Sequence, residues 1–273
     1  MLRSMYSGVS GMRGFQTKLD VIGNNIANVN TVGFKAGRVM FKDILSQSVA
    51  GVTAPEEGAQ GGVNAKQIGL GVAIAAIDTL HTAGSAMTTN VPTDVRIDGD
   101  GFFAVKTNPE QEVPYLTRAG NFYLDASRQL VTADGSFVLA EGGEPIVLEE
   151  GVTSFSISQD GSIISISADG TAEATGIKIG VVKVVNPSGL EKVGGNMYRV
   201  TPNANLEGEV VVGAANDGEA GTGAIIAGQL EMSNVDLTSE FTEMIIAQRG
   251  FQANSRIITT SDEVLQEVVN LKR

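Results

Sequence analysis

The chain has 273 residues, of which 42% are hydrophobic, and a formal net charge of −12 at pH 7. These values predict a folded core, and the acidic balance disfavours nucleic-acid binding, which depends largely on neutralising phosphates. The sequence contains no cysteine, which excludes disulfides and thiolate metal sites, and no apolar run long enough to insert into a membrane.

Residues 1–34 have the period of an amphipathic helix. Apolar side chains recur every seven residues at Met5, Met12, Leu19 and Ile26. The helix is expected to end in the Asn- and Gly-rich stretch that starts at Asn28. Several glycines lower its helix propensity, which predicts a helix formed by packing against a partner that approaches closely. The alternative is an ordinary amphipathic helix of a globular domain.

Residues 35–92 are expected to form an extended or irregular connecting arm, because much of the stretch is rich in Gly and Ala. Within it, residues 41–49 are expected to form a short helix. His81 is the single histidine of the chain. Because it has no histidine or cysteine companion, we expect a surface side chain or a satisfied interface side chain rather than a metal ligand.

Residues 93–231 are expected to form a β-rich outer domain of short strands. Alternating apolar residues are interrupted by Asp-Gly pairs, which are strong hairpin signals. An internal repeat, SISQDGSI and SISADGTA, predicts consecutive strands joined by turns at residues 160–161 and 169–170. The carboxylates near Gly99 do not have the spacing of a calcium loop, so no metal site is predicted.

Residues 232–273 carry the period of a seam between helices. Apolar residues recur at sevens, with one more between them: Leu237, Phe241, Met244, Phe251, Ile258 and Leu265. Residues 1–42 hold six basic side chains against Asp20 alone, so their charge favours pairing with the acidic C-terminal segment. The predicted fold class is therefore α+β. Long N- and C-terminal helices, 1–34 and 232–273, pair as a coiled coil around a central β-rich domain.

The sequence contains no recognisable catalytic constellation. A Ser-His-Asp triad would have to use His81, and no phosphate-binding glycine motif follows a strand. An enzyme is therefore disfavoured, and no cofactor is expected. A secreted binding module or adhesin with helical ends is one non-enzymatic class that remains open.

Three segments resemble the flagellar rod and hook proteins of bacteria. LDVIGNNIANVNTVGFK, residues 19–35, is similar to their N-terminal signature, and the segment from SNVDL to VNLKR is similar to their C-terminal signature. IDGDGFF and YLTRAGNFYLDASRQLVTADG resemble the β-domain motif of the hook and distal-rod branches. The resemblance marks these motif residues: Asn24, Asn25, Ala27, Asn28, Thr31, Gly33 and Phe34.

The resemblance implies a subunit of a helical tube whose terminal helices line the central channel. It implies an assembly interface made by the helical seam: Met5, Met12, Leu19, Ile26, Leu237, Phe241, Met244, Phe251, Ile258 and Leu265. It also implies a place in the flagellum outside the cell and export by the flagellar type III apparatus, which agrees with the lack of a cleaved signal peptide.

Within the family we favour the hook branch, a flexible universal joint that transmits torque from rod to filament. The C-terminal AQRGFQANSRII and VNLKR segments are hook-like, whereas the length of 273 residues is close to that of distal-rod subunits, which are the alternative. The implied partners are further copies of the chain, the distal rod, the hook cap and the hook–filament junction.

Overall fold

The computed structural model describes residues 2–54, 61–108, 111–149, 152–167, 172–208, 210–218 and 220–271. The chain forms two compact units. The helical unit comprises Met1–Ala27, Gly37–Thr79 and Asp236–Arg273, and the β unit comprises Asn28–Ala36 and Leu80–Val235. The division after residues 34, 92 and 231 that the sequence suggested stays a prediction.

The helical unit contains α1 (Leu2–Ala27) and α2 (Leu237–Leu271). α1 ends directly before the Asn- and Gly-rich stretch, as predicted. α2 begins after Asp236, whose carboxylate accepts a hydrogen bond of 2.9 Å from the backbone N–H of Thr238. This N-cap contact satisfies one of the donors that the first turn of a helix leaves free.

The two helices do not form the predicted coiled coil, and that prediction is wrong. A coiled coil buries apolar seam residues by inserting each into a hole on the facing helix. In α2, Leu237, Phe241 and Phe251 are instead 39%, 50% and 37% exposed. Ala247 is the one buried residue of the described helix.

Glycines make the contact between the helices. A Cβ built on Gly250 of α2 would lie 2.6 Å from the ring of Phe15, and one built on Gly8 of α1 would lie 3.4 Å from Ile258. These pairs show that the helices run antiparallel. Because the glycines carry no side chain, the backbones approach more closely than interlocking apolar side chains would allow, and the heptad spacing does not decide the packing.

The described residues of the helical unit also form four strands: β1 (Gly37–Asp43), β2 (Ser46–Ala50), β3 (Lys66–Gly69) and β4 (Val72–Thr79). β1 pairs antiparallel with β4, and β2 pairs antiparallel with β3. The short helix predicted over residues 41–49 is therefore wrong. Phe41 is paired with Ile74, and its ring packs 5.9 Å from that of Phe15, so tertiary contacts favour an extended backbone here.

The β unit is built from short antiparallel strands. They are β5 (Ala86–Thr88), β6 (Val95–Asp98), β7 (Phe102–Lys106), β8 (Tyr115–Thr117), β9 (Phe122–Leu124), β10 (Leu130–Thr132), β11 (Phe137–Val138), β12 (Val152–Ile157), β13 (Ser162–Ser167), β14 (Ala172–Lys178), β15 (Val181–Val182), β16 (Glu191–Gly194), β17 (Met197–Arg199), β18 (Ala224–Ala227) and β19 (Gln229–Glu231). The largest sheet has eight strands, in the order β16-β17-β8-β7-β11-β10-β9 with β15 also on β7. β12-β13-β14 form a second sheet, and β18 pairs with β6 and β19 with β5.

The core of the β unit lies on both faces of β7. Phe103 and Val105 belong to one cluster of buried apolar residues, and Phe102 and Ala104 belong to another. This division follows from the pleat of a strand, which turns successive side chains to opposite faces. The Asp-Gly turn predicted at residues 160–161 is confirmed, with Gly161 at φ +76°. The turn predicted at residues 169–170 lies outside the described residues.

Candidate functional site

The β unit buries three charged side chains together: Lys35, Arg118 and Glu231, which we call the ion cluster. Their side chains are 0%, 4% and 1% exposed. Taking a charge out of water costs several kcal/mol unless the charge is paired and hydrogen-bonded. The partners of each group therefore decide whether this arrangement is stable.

Glu231 is the centre of the ion cluster. Its Oε1 accepts hydrogen bonds from Nζ of Lys35 at 2.5 Å and from the backbone N–H of Gly84 at 3.0 Å. Its Oε2 accepts a hydrogen bond from Nη1 of Arg118 at 3.3 Å. Lys35 also donates to the carbonyl oxygen of Thr82 at 2.7 Å. Each charge in the cluster thus has an oppositely charged partner.

The backbone around Lys35 fixes the position of its side chain. The N–H of Gly33 donates to the carbonyl of Glu231 at 2.8 Å. Gly33 has φ +69°, and a Cβ there would lie 2.6 Å from the backbone nitrogen of Ala119. Both its conformation and its close packing therefore require glycine.

Asn234 connects two of the segments that carry the ion cluster. Its Oδ1 accepts a hydrogen bond from the N–H of Ala36 at 2.8 Å, and its Nδ2 donates to the carbonyl of Leu80 at 2.8 Å. The residues next to Lys35 are thereby held to the residues before His81. The ion cluster and this asparagine join four stretches that are far apart in sequence, around residues 35, 80, 118 and 231.

An aromatic cluster lies against the ion cluster. The ring of His81 makes edge contacts with Phe102 and Tyr198, with centroids 5.5 Å and 5.3 Å apart. The guanidinium of Arg118 lies 5.2 Å from the centroid of Phe102. Nδ1 of His81 is buried and has no hydrogen-bond partner in the described part of the chain, so the expected surface or satisfied side chain is wrong.

Burial perturbs the titration of the groups in this region. Burial lowers the pKa of His81 to about 4, and the positive charges of Lys35, Lys192 and Arg118 act in the same direction, so the imidazole is neutral at pH 7. Burial also lowers the pKa of Lys35, while the charge of Glu231 opposes this shift. Burial raises the pKa of the Tyr198 hydroxyl to about 12.

The ion cluster is suited to holding the fold rather than to chemistry. Both carboxylate oxygens of Glu231 are occupied by donors, and Nζ of Lys35 is shared between two acceptors. Among the described residues, no group of three or more His, Cys, Asp or Glu side chains is placed to hold a metal ion. No helix of the described chain is long and apolar enough to cross a membrane.

Three protein families match successive parts of the chain. Residues 5–35 match "Flagella basal body rod protein", residues 96–166 match "Flagellar hook protein FlgE/F/G D1 domain", and residues 226–271 match "Flagellar basal body rod FlgEFG protein C-terminal". The chain is 55% identical to the flagellar basal-body rod protein FlgG of Bacillus subtilis, with 100% of both chains covered. It belongs to the flagellar rod and hook protein family.

Other relatives come from both branches of this rod and hook family. The rod protein FlgG of Borreliella burgdorferi is 38% identical, and the hook protein FlgE of the same organism is 29% identical, each with 100% of both chains covered. The predicted membership of the family is confirmed. The chain is accordingly a structural component of the bacterial flagellum and not an enzyme.

The predicted family-motif residues fall into both compact units. In the helical unit Asn25 is 2% exposed; its Nδ2 donates to the carbonyl of Gly37 at 2.9 Å and to Oε1 of Glu240 at 3.1 Å. In the β unit Gly33 and Phe34 are buried. The other motif residues are exposed, Asn24 and Ala27, or half-buried, Asn28 and Thr31. The role of the motif as a unit stays a prediction.

The structure distributes the predicted seam residues along both helices without joining them into one seam. Leu237, Phe241 and Phe251 are exposed, and the others are half-buried: Met5, Met12, Leu19, Ile26, Met244, Ile258 and Leu265. Between the helices, Nζ of Lys18 donates to Oε2 of Glu243 at 2.5 Å. The use of these residues as an assembly interface stays a prediction.

Sequence reasoning missed the ion cluster. Lys35 was part of the recognised signature, but Arg118 and Glu231 were not singled out. A weak signal was present, because Lys35 follows Phe34 directly and Glu231 follows the largely apolar stretch 224–230. Their pairing joins positions 196 residues apart, which no local spacing indicates.

Proposed function

We propose that this chain is a subunit of the distal rod of the flagellar basal body, where copies of it assemble with one another. The observation that supports this most is the match to the Bacillus subtilis rod protein, 55% identical over 275 aligned positions. Alignments with the hook proteins of Borreliella burgdorferi and Treponema pallidum need 451 and 473 positions. Those hook proteins therefore carry long segments that this chain of 273 residues lacks.

The comparisons favour the rod alternative over the hook that the sequence favoured. The preference for the hook relied on the C-terminal segment. That segment, residues 226–271, matches a description that names FlgE, FlgF and FlgG together, so it does not separate the branches. Length and overall identity differ between these rod and hook relatives, and both support the rod.

Assembly between copies requires apolar surface that one chain leaves uncovered, and α2 has such surface. Leu237, Phe241 and Phe251 are exposed although they belong to the predicted seam. A contact between two different surfaces of identical chains repeats without closing and so produces a helical filament. The assembly interface we propose therefore includes the seam residues.

The proposed role as a rod subunit also implies where the protein lies, how it is exported and which proteins it contacts. As a rod subunit it lies in the basal body outside the cytoplasm, leaves the cell through the flagellar type III apparatus and contacts neighbouring axial proteins of the rod and hook. Membership of the rod and hook family supports each of these statements.

Complementation separates the rod from the hook. The gene for this chain is expressed in Bacillus subtilis cells that lack their own FlgG and, separately, in cells that lack their hook protein. We expect the swimming zone on soft agar to return in the first strain and not in the second. Restoration in the hook-deficient strain alone would contradict the proposal.

A second measurement locates the protein in its own cells. Gold-labelled antibodies against this chain are applied to isolated hook–basal bodies and viewed by electron microscopy. Label on the straight rod is the expected result. Label confined to the curved hook would return the assignment to the hook branch.

A further inference from the structure

The C-terminal end of α2 extends past the N-terminal end of α1 in the helical unit. The antiparallel helices place Gly8 opposite Ile258 and Phe15 opposite Gly250. In this register Leu2, where α1 begins, lies opposite about residue 264. Residues 265–271 therefore project about 10 Å beyond α1, at roughly 1.5 Å per residue.

The projecting end and the residue just before it, Val264, carry an exposed apolar face. Val264, Val268 and Leu271 are 47%, 51% and 86% exposed. Their spacing of four and three residues places them on one face of the helix, and we call them the overhang stripe. Glu263 and Glu267 flank the stripe on one side, since each residue of a helix is rotated by about 100° from the last.

A groove lies on the face of α1 that is turned away from α2. It has a volume of about 450 Å³ and lies between residues 6–17 of α1 and a surface formed by Ile44, Leu70 and the first residues of β4, with a mostly apolar lining. Tyr6, Val9 and Ile44 line it and are 73%, 36% and 47% exposed. A cavity of roughly 150 Å³ holds one benzene-sized apolar group, so this groove has room for about three.

We propose that the overhang stripe of one copy occupies the groove of the next copy along the filament. This inference rests on the proposed function as a self-assembling rod subunit. It names the contact through which one copy binds the next along the filament. The occupant is a second copy because α2 is continuous through Leu271 and cannot turn back to the groove of its own chain. The groove and the stripe are different surfaces, so the contact repeats head to tail.

Charge complementarity supports the same pairing. Arg13 is the charged residue of the groove lining, and it is exposed. The carboxylates of Glu263 and Glu267 beside the overhang stripe would meet this guanidinium when the stripe enters the groove. The remaining lining residues are apolar or neutral, so Arg13 is the one lining side chain that would attract a charged group of opposite sign.

Cross-linking between single-cysteine variants tests the contact, since the native chain has no cysteine. Val9→Cys and Val268→Cys are prepared separately, one with a larger tag, mixed under polymerising conditions and treated with a short bis-maleimide. A heterodimer can then form only between copies. We expect the heterodimer to dominate over both homodimers, and its absence would overturn the proposal.

A matched pair controls for random collision. Gln248 is exposed on α2 but lies alongside α1 rather than beyond it. Val9→Cys mixed with Gln248→Cys is therefore expected to give little heterodimer. A yield equal to that of the Val268→Cys mixture would overturn the proposal.

Charge reversal tests the polar part of the contact. Arg13→Glu and Glu267→Arg, each added to the cysteine variants, are expected to lower the heterodimer yield about fivefold, and the two together to restore it. Lack of restoration would overturn the charge pairing. Swimming of the FlgG-deficient strain is scored in parallel: restored swimming without the cross-link rejects the groove contact alone, and the cross-link without swimming rejects the rod function alone.

Discussion

Glu231 is the residue on which the β unit depends most for its electrostatics. It is 1% exposed and faces the buried cations of Lys35 and Arg118, so the ion cluster carries one more positive than negative charge. Removing one partner of a buried ion pair leaves an uncompensated charge in a medium of low dielectric. The loss of the single carboxylate would leave two uncompensated positive charges, those of Lys35 and Arg118.

Glu231→Gln is accordingly expected to lower the free energy of unfolding of the β unit by about 3–5 kcal/mol. Urea unfolding followed by tyrosine fluorescence measures this, because Tyr115, Tyr123 and Tyr198 lie in the β unit. Glu191→Gln is the matched control, since its ion pair with Arg199 is exposed and should contribute little. Equal shifts for the two variants would argue against the buried cluster.

His81 is expected to make the β unit sensitive to acid. Its folded pKa is about 4 against an ordinary value of 6.5, so the unfolded chain binds a proton first as the pH falls. The stability that the neutral ring contributes is therefore complete above pH 6.5 and is lost progressively towards pH 4. The charges that face the ring, Lys35, Lys192 and Arg118, are all positive and oppose its protonation.

His81→Phe tests this pH dependence. The ring keeps its contacts with Phe102 and Tyr198 but no longer titrates. Between pH 7 and pH 4.5 the urea midpoint should fall less for the variant than for the native chain, because the carboxylates that both share cancel in the difference. Parallel curves for the two proteins would show that His81 does not contribute.

At the scale of elements, the contact between α1 and α2 depends on the absence of side chains. Gly250 packs under the ring of Phe15, which itself packs against Phe41 of β1. A glycine in a helix costs about 1 kcal/mol relative to alanine, so the helices give up intrinsic stability for a close approach. Their stability must come from tertiary contact.

Gly250→Val is expected to separate the helices locally and to increase the rate of amide hydrogen exchange in both, because the added atoms overlap the Phe15 ring. Gly23→Ala is the matched control in α1, where a Cβ would meet nothing within 4 Å. It should slow exchange by stabilising the helix by up to about 1 kcal/mol. The same response to both substitutions would contradict the packing described.

At the scale of the whole molecule, we propose that surface which one chain leaves exposed mediates assembly between copies. Phe251→Asp is expected to reduce the amount of sedimentable polymer about tenfold or more, since a carboxylate at an apolar contact needs to cost only about 1.4 kcal/mol for that effect. Tyrosine fluorescence should show the β unit still folded. Val185→Asp, at a valine that is 87% exposed in the β unit, is the control and should polymerise normally. Normal polymers from Phe251→Asp would remove this residue from the interface.

Local patterns predicted local features well. The asparagines and glycines after Ala27 indicated where α1 ends, and the Asp-Gly pair before Ser162 indicated a turn. Features that depend on distant partners were not predicted. Phe41 lies in a strand because β4 and Phe15 meet it, and the heptads did not decide the helix packing because glycines allowed closer approach. The ion cluster was missed for the same reason, since its partners are joined only by the fold.

The pairing of Lys35 with Glu231 also sets when the β unit finishes folding during synthesis. The two residues are 196 positions apart, and Lys35 is the last residue of the N-terminal signature. At a synthesis rate of roughly 5–20 residues per second, Lys35 leaves the ribosome about 10–40 s before Glu231 does. Throughout that interval its ammonium group must remain in water, so the nascent chain stays open at its N-terminal end until the last strand arrives.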